Sequence, residues 1–120
     1  MEHTADNCIF CKIVSGEIPA ERLHEDDKFI CIRDVRPQAK VHLLLVTKRH
    51  IPSLDELYAK TGAPGVGEAA LEVATAVARK QGLLPGGFRL VINTGGHGGQ
   101  TVFHLHIHLL GGNDLEGTFG

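Results

Sequence analysis

Gln100-Thr101-Val102-Phe103-His104-Leu105-His106-Ile107-His108-Leu109-Leu110-Gly111-Gly112 is the stretch whose reading decides the fold. Three histidines alternate with aliphatic residues, and polar–apolar alternation over roughly four to eight residues is the pattern of a half-buried strand. Successive strand side chains point to opposite faces. The pattern therefore predicts that His104, His106 and His108 share one face at a spacing of roughly 6.5–7 Å. Phe103, Leu105, Ile107 and Leu109 are expected to point the other way, into a core. On a helix the same residues would scatter around the barrel. Three imidazoles in a row each cost packing or desolvation, so they call for a role: covalent catalysis, a metal, or a pH-sensitive surface.

The connection before this strand carries a second signal. Asn93-Thr94-Gly95-Gly96-His97-Gly98-Gly99-Gln100-Thr101 holds four glycines, which permit close backbone approach, and exposed backbone N–H groups in such a loop form an anion-binding concavity. By itself the loop reads as a long hairpin. Beside three histidines, and with Asn, Gln and Thr side chains able to donate to oxygens, it reads as a phosphate site. A neutral imidazole attacks phosphorus well near neutral pH, since its ordinary pKa of about 6.5 leaves it largely unprotonated.

Working outward, Asn7 or Asp6 is placed to N-cap a short helix over Cys8–Val14, with Ile9, Phe10, Ile13 and Val14 on its apolar side. Pro19 makes the next segment extended. Strands are predicted over Arg22–Glu25 and Lys28–Asp34 around an Asp26-Asp27 turn, and over His42–Thr47, whose near-continuous apolar run suits a central position. In the second strand Phe29, Cys31 and Arg33 share one face, and Ile30, Ile32 and Asp34 the other. Ser53 is a good N-cap for a short helix over Leu54–Lys60. A longer helix over Val66–Gln81 has an Ala/Val stripe and a natural stop at Gly82. Gly87–Asn93 is a fourth strand and the histidine strand a fifth. Elements interspersed without a regular βαβ order predict an α+β domain with a mostly antiparallel sheet.

Composition sets the outer limits. At 120 residues the chain fits one domain, 1–120, able to bury about 65% of the surface its unfolded form exposes. A formal net charge of −2 leaves no basic footprint for nucleic acid, and an aromatic content of 5% leaves few platforms for stacking bases. No stretch approaches the roughly 20 apolar residues of a membrane span. The first residues lack the basic-then-apolar layout of a secretory signal. Three cysteines, two of them spaced C-x-x-C, argue against a disulfide framework and for a reducing cytoplasm.

The segment G-G-Q-T-V-F-H-L-H-I-H-L-L-G-G at 98–112 resembles the motif of the histidine triad (HIT) superfamily, and is most similar to its Hint branch. The similarity runs through C-I-F-C-K-I-V-S-G-E-I-P-A at 8–20, R-D-V-R-P-Q-A at 33–39, H-L-L-L-V at 42–46, K-R-H-I at 48–51 and R-L-V-I-N-T-G at 89–95. The resemblance implies a HIT fold: a five-stranded, mostly antiparallel sheet with two main helices, sharing a larger sheet in a homodimer. It implies a hydrolase or transferase acting at the α-phosphorus of purine nucleoside phosphoramidates, with no cofactor required for catalysis.

Carried onto this chain, His106 is the implied nucleophile that forms a nucleotidyl-histidine. His108 contacts the phosphoryl oxygens and the leaving group. His104 and His42 complete the proton and orientation network. Asn93, Gly99, Gln100 and Thr101 match positions that hold the α-phosphate, and Asp34 matches the carboxylate for the ribose hydroxyls. Phe10, Ile13, Ile18, Ile32 and Val35 match the apolar walls of the purine pocket. The physical demands agree: a planar base needs an apolar slot, a vicinal diol suits a carboxylate, and a five-coordinate phosphorus needs donors on its equatorial oxygens.

Cys8-x-x-Cys11 has zinc-ligand spacing. In some HIT relatives the matching pair binds structural zinc together with histidines at the positions of His50 and His104 here, which would turn His104 from chemistry to structure. Cys31 reads as a plain buried thiol, and His3, His24 and His97 receive no role. Two departures stay open. The Hint branch often ends in a Trp-containing tail, and the end of this chain has no Trp, which leaves the accepted amine open. The Fhit branch, which cleaves dinucleoside polyphosphates, shares the triad. Two other classes are a zinc-dependent hydrolase with the triad as ligands, and a nucleotide-binding regulatory module with little turnover.

Overall fold

In the computed structural model the chain is described over residues 7–61 and 64–116. Helix α1 spans Ile9–Ser15, strands β1 to β3 span His24–Glu25, Phe29–Arg33 and Val41–Thr47, and helix α2 spans Leu54–Glu56. A π-helical turn, Leu57–Thr61, follows, then helix α3 (Val66–Lys80) and strands β4 (Phe88–Val91) and β5 (His106–Gly111). The five strands form one sheet in the order β1-β2-β3-β5-β4, antiparallel at every pairing. The α+β class and the central place of β3 are as expected.

Two faces of the sheet bury two sets of side chains, because β residues alternate. Phe29, Cys31, Leu43, Leu45, Ile107 and Leu109 face α3, which presents Ala70, Ala74, Val77 and Ala78. Alanine on this stripe lets the helix axis lie close to the strands. Ile30, Ile32, Leu44 and Val46 face α1, which presents Cys8, Phe10, Cys11 and Ile13. α3 ends as its sequence predicts: Gly82 takes φ +77, with Gly82 N donating to Arg79 O and Leu83 N to Ala78 O, the paired bonds of a Schellman stop. Ser53 caps α2, its Oγ accepting from Glu56 N at 3.4 Å.

Several expectations need correction. Each edge strand is shorter than expected: Arg22 and Leu23 precede β1, and Ile92 and Asn93 follow β4. The helix expected over Leu54–Lys60 is a single α turn that widens into the π turn. Cys8, not Asn7, caps α1, its Sγ accepting from Cys11 N at 3.4 Å; Asp6 lies outside the described residues. The histidine strand begins only at His106. Leu105 N turns to Ile51 O at 2.7 Å, so the regular pairing with β3 stops there. Phe103, expected in the core, stands 53% exposed in the bend before the strand. Among the described residues no helix is long and apolar enough to cross a membrane.

Candidate active site

The register of β3 against β5 assembles the site. Leu44 pairs with His108 and Val46 with His106, so both histidines share the face of Leu44 and Val46, the α1 face. His42 has the same parity and is diagonal to His108. One residue past the end of β2, Asp34 N donates to His42 O at 3.0 Å, which continues the ladder and brings the Asp34 carboxylate to the same place. Local sequence sets the face of each residue, and strand order brings three strands' residues within reach.

These residues border a cleft of ≈ 520 Å³. Of the expected site residues, Phe10, Ile13, Ile32, Asp34, Val35, Asn93, Gly99, Thr101, His106 and His108 line it. Val35 sits at the rim and is 92% exposed, so it is a poor wall for a base. Ile18 instead packs beside the α1 cluster. Gln100 is only 6% exposed and braces the glycine loop: Oε1 accepts from Gly95 N at 2.9 Å, and Nε2 donates to Pro52 O at 2.8 Å and Val102 O at 3.2 Å. Both amide protons are spent on the main chain, so none is left for a phosphate. Gly98 is held by the same packing, since a Cβ there would collide with the Thr94 carbonyl oxygen. Ile9, Arg33, Arg36, Gln38, Leu44 and Val102 line the cleft without having been singled out as site residues. The helical apolar side for Ile9 and the strand alternation for Leu44 are usable signals; the placement of Arg36, Gln38 and Val102 depends on turn and loop geometry.

Main-chain groups fix the proton positions on the rings. A carbonyl oxygen only accepts, so a ring nitrogen bonded to one carries the proton. His106 Nδ1 lies 2.7 Å from His104 O, which puts its proton on Nδ1 and leaves Nε2 as a lone pair. His42 Nδ1 accepts from Gln38 N at 3.0 Å, so neutral His42 bears its proton on Nε2. That nitrogen is 2.9 Å from His108 Nδ1 and donates to it, which leaves the proton of His108 on Nε2. Burial, with the nearby His106 and His42, pushes the His108 imidazole below its ordinary value, partly opposed by Asp34. His108 is thereby neutral at pH 7. Asp34 Oδ2 lies 3.4 Å from His42 Nε2, and Oδ1 accepts from Arg36 N at 2.8 Å.

Two groups of side chains have ligand atoms within 4.8 Å of one another: Cys8, Cys11, His50 and His104; and Asp34, His42 and His108. Only the first suits a metal. His104 is fully buried, and burial pushes its imidazole down to about 4. Its Nε2 is 2.7 Å from Thr47 O and so carries the proton, which turns the Nδ1 lone pair toward Cys8 Sγ at 3.2 Å, Cys11 Sγ at 3.5 Å and His50 Nδ1 at 3.3 Å. His50 Nδ1 is 3.2 Å from Cys11 Sγ. Ligands around a tetrahedral zinc lie about 3.3–3.8 Å apart, given its usual bond lengths. The donors and their spacing fit zinc. In the second group the His42 lone pair is taken by Gln38 N–H and its Nε2 bears a proton, so that atom has nothing to offer a metal.

Phe10 stands between the cysteine group and His106, edge-on to His104 at 5.7 Å and to His106 at 5.0 Å between centroids. The expected face of three equal histidines is therefore divided. The side chain of His104 belongs with the cysteines, while its carbonyl serves His106.

The family model described as "Scavenger mRNA decapping enzyme C-term binding" matches residues 7–119. The chain is 39% identical to the purine nucleoside phosphoramidase of Escherichia coli K12 over 92% of each chain. It is similar to the solved structure of a HIT family hydrolase from Legionella pneumophila, at 42% identity and a TM-score of 0.85, covering 92% of this chain and 96% of that one. It is also similar to a zinc-bound histidine triad family protein from Mycobacterium smegmatis, at 37% identity and a TM-score of 0.75 over 88% of this chain and 74% of that one. By sequence and by fold, the chain belongs to the histidine triad family.

Proposed function

We propose that this protein is a histidine triad hydrolase that cleaves the P–N bond of purine nucleoside phosphoramidates through a nucleotidyl intermediate on His106. The observation that carries the reading is the free Nε2 lone pair of His106, held in a cleft by the bond from Nδ1 to the His104 carbonyl. A nucleophile needs an unprotonated atom facing its electrophile, and that bond leaves one. The likeness to the E. coli phosphoramidase supports the choice of a phosphoramidate.

In the first step His106 Nε2 bonds to the α-phosphorus of the N-protonated phosphoramidate. The P–N bond to the amine breaks, and the amine leaves neutral with the bond pair. His108 Nε2–H donates to a phosphoryl oxygen and steadies the leaving nitrogen. In the second step water attacks phosphorus, the P–Nε2 bond returns its pair to His106, and the surplus proton goes to solvent. His42 holds His108 in the donating tautomer. Asp34 takes the ribose hydroxyls, and Asn93, Thr101 and the Gly99 backbone meet the phosphate. Gln100 contributes by keeping that loop in shape. Phe10, Ile13 and Ile32 form the purine slot. No step calls for a metal.

Cys8, Cys11, His50 and His104 would hold zinc as a closed, structural site; such an ion supplies cross-linking rather than chemistry. A homodimer belongs to the same reading. β4 is an edge strand, and the exposed Tyr58, Leu71 and Ile92 line an apolar hollow of ≈ 310 Å³ against α3 and the sheet. Joining two such edges would yield the larger shared sheet.

Four outcomes are expected. His106→Ala lowers turnover of an adenosine phosphoramidate by about 10⁴-fold, and acid-labile nucleotidyl-protein is trapped from wild type alone; equal rates would refute the nucleophile. Wild type purifies with one zinc per chain by elemental analysis, and Cys8→Ala carries little; equal zinc content rules the site out. Sedimentation gives a mass of twice 12.9 kDa, and a monomer at micromolar concentration removes the dimer. The fourth outcome concerns pH. The folded pKa of His108 is below its unfolded value, so as pH falls through about 6.5 the unfolded chain takes up a proton that the native one refuses. Stability drops from there down to the lowered folded value. Urea unfolding at pH 7 and pH 5 should show a smaller loss for His108→Asn than for wild type, and identical losses dismiss the effect.

A further inference from the structure

α1 forms one wall of the cleft through Ile9, Phe10 and Ile13, yet it is a weak element by itself. Its seven residues fall short of the roughly 12–15 that give even marginal stability to an isolated helix. Its position therefore depends on the packing of Phe10, Cys11 and Ile13 against the sheet and on what grips its ends. The N-terminal end is gripped through Cys8 and Cys11. The other end is gripped by a side chain that lies outside both the helix and the family motifs.

Arg22 Nη2 donates to Ile13 O at 2.9 Å and Val14 O at 3.1 Å, two carbonyls of the last helical turn. Its Nη1 donates to Glu25 Oε2 at 2.9 Å. The same Glu25 oxygen is 2.9 Å from Lys48 Nζ, and Lys48 N donates to Lys28 O at 2.8 Å. The carbonyl end of a helix carries partial negative charge, which favours a cation there. A guanidinium also presents several donors in a rigid plane, so it meets carbonyls on one side and a carboxylate on the other, which an ammonium does not reproduce. Through this chain of contacts the end of α1 is tied to β1 and to the turn after β3, two residues before His50.

We propose that Arg22, locked by Glu25 and Lys48, is a positioning residue that sets the helical wall of the cleft and thereby the affinity for the nucleotide base. The proposal rests on the reading that the cleft takes a purine nucleotide. The phosphorus chemistry is anchored elsewhere, on β3 and β5 and in the glycine loop; from α1, Phe10 meets the His106 ring edge-on, while the hydrogen bond that orients that ring goes to the His104 carbonyl. Loosening α1 at its C-terminal end should widen the slot for the base without displacing His106 Nε2, which the His104 carbonyl holds.

The test measures binding apart from turnover. AMP affinity by calorimetry, and KM and kcat on an adenosine phosphoramidate, are compared for wild type, Arg22→Ala, Arg22→Lys and Glu25→Gln. Arg22→Ala is expected to raise both Kd and KM about 5–20-fold, as for loss of a charge-assisted pair, with kcat within about two-fold of wild type. Arg22→Lys should recover less than half of the loss, and Glu25→Gln should show a smaller rise. Ribose 5-phosphate, which has no base to rest on the wall, should inhibit wild type and Arg22→Ala equally. AMP affinity unchanged in Arg22→Ala overturns the proposal. So does a fall in kcat at constant KM, or equal weakening of AMP and ribose 5-phosphate, which marks general loosening. Should Arg22→Ala fail to fold, Glu25→Gln carries the same comparison. Wild type that binds no AMP removes the nucleotide reading and this proposal together. Wild type that binds AMP but leaves phosphoramidates intact removes only the proposed reaction.

Discussion

A neutral imidazole has one proton and one lone pair, and in this protein main-chain groups decide which nitrogen holds which. The carbonyls of His104 and Thr47 take the protons of His106 and His104, and the N–H of Gln38 takes the lone pair of His42. His108 follows by relay from His42. The rest of the site depends on these assignments. They leave a lone pair on His106 Nε2, an N–H on His108 Nε2, and a second lone pair, on His104 Nδ1, facing the cysteine cluster. Had the His42 proton been on Nδ1, the Gln38 contact would be repulsive and His108 would lose its donor.

Backbone anchoring of this kind needs a rigid frame, which the sheet provides. His42 and His108 sit on the adjacent strands β3 and β5, and His104 lies two residues before His106 at the start of β5, where hydrogen-bond geometry fixes separations to a few tenths of an ångström. His104 illustrates what happens where the ladder stops. Because the strand begins at His106, the backbone before it is free to bend. The His104 ring turns into a buried pocket of thiols while its carbonyl stays in line with His106. One residue thus serves two sites, through its side chain in one and its main chain in the other. α1 links the same two sites from the opposite side, with cysteines on one flank and Phe10 against both His104 and His106.

Much of this was legible in the chain, and the failures have physical causes. Parity along Phe29–Arg33 and His106–Leu109 predicted the faces correctly, because alternation is a local property of extended backbone. Phe103 failed because alternation holds only while pairing continues, and nothing local marks where β5 loses its partner. Gln100 was assigned to a phosphate because an amide that can donate to an oxygen anion can equally donate to carbonyls. Its choice of Pro52 and Val102 depends on a loop packing that spacing does not encode. The Cys8 and Cys11 pair announced itself by spacing, whereas His50 and His104 came to it only through family resemblance, since both are far away along the chain.

By itself, then, the sequence determined the order and type of the main strands and helices, though not their exact ends, and which side chains share a face within each. Periodicity, capping and turn preferences act over a few residues and are written there. Only the tertiary structure decided the proton positions on the histidines, the separation of His104 from its two companions, and the grip of Arg22 on α1. Each of these rests on a hydrogen bond or ion pair between atoms brought together by sheet register and chain reversal. Such contacts depend on distance and angle in space, quantities that position along the chain does not contain.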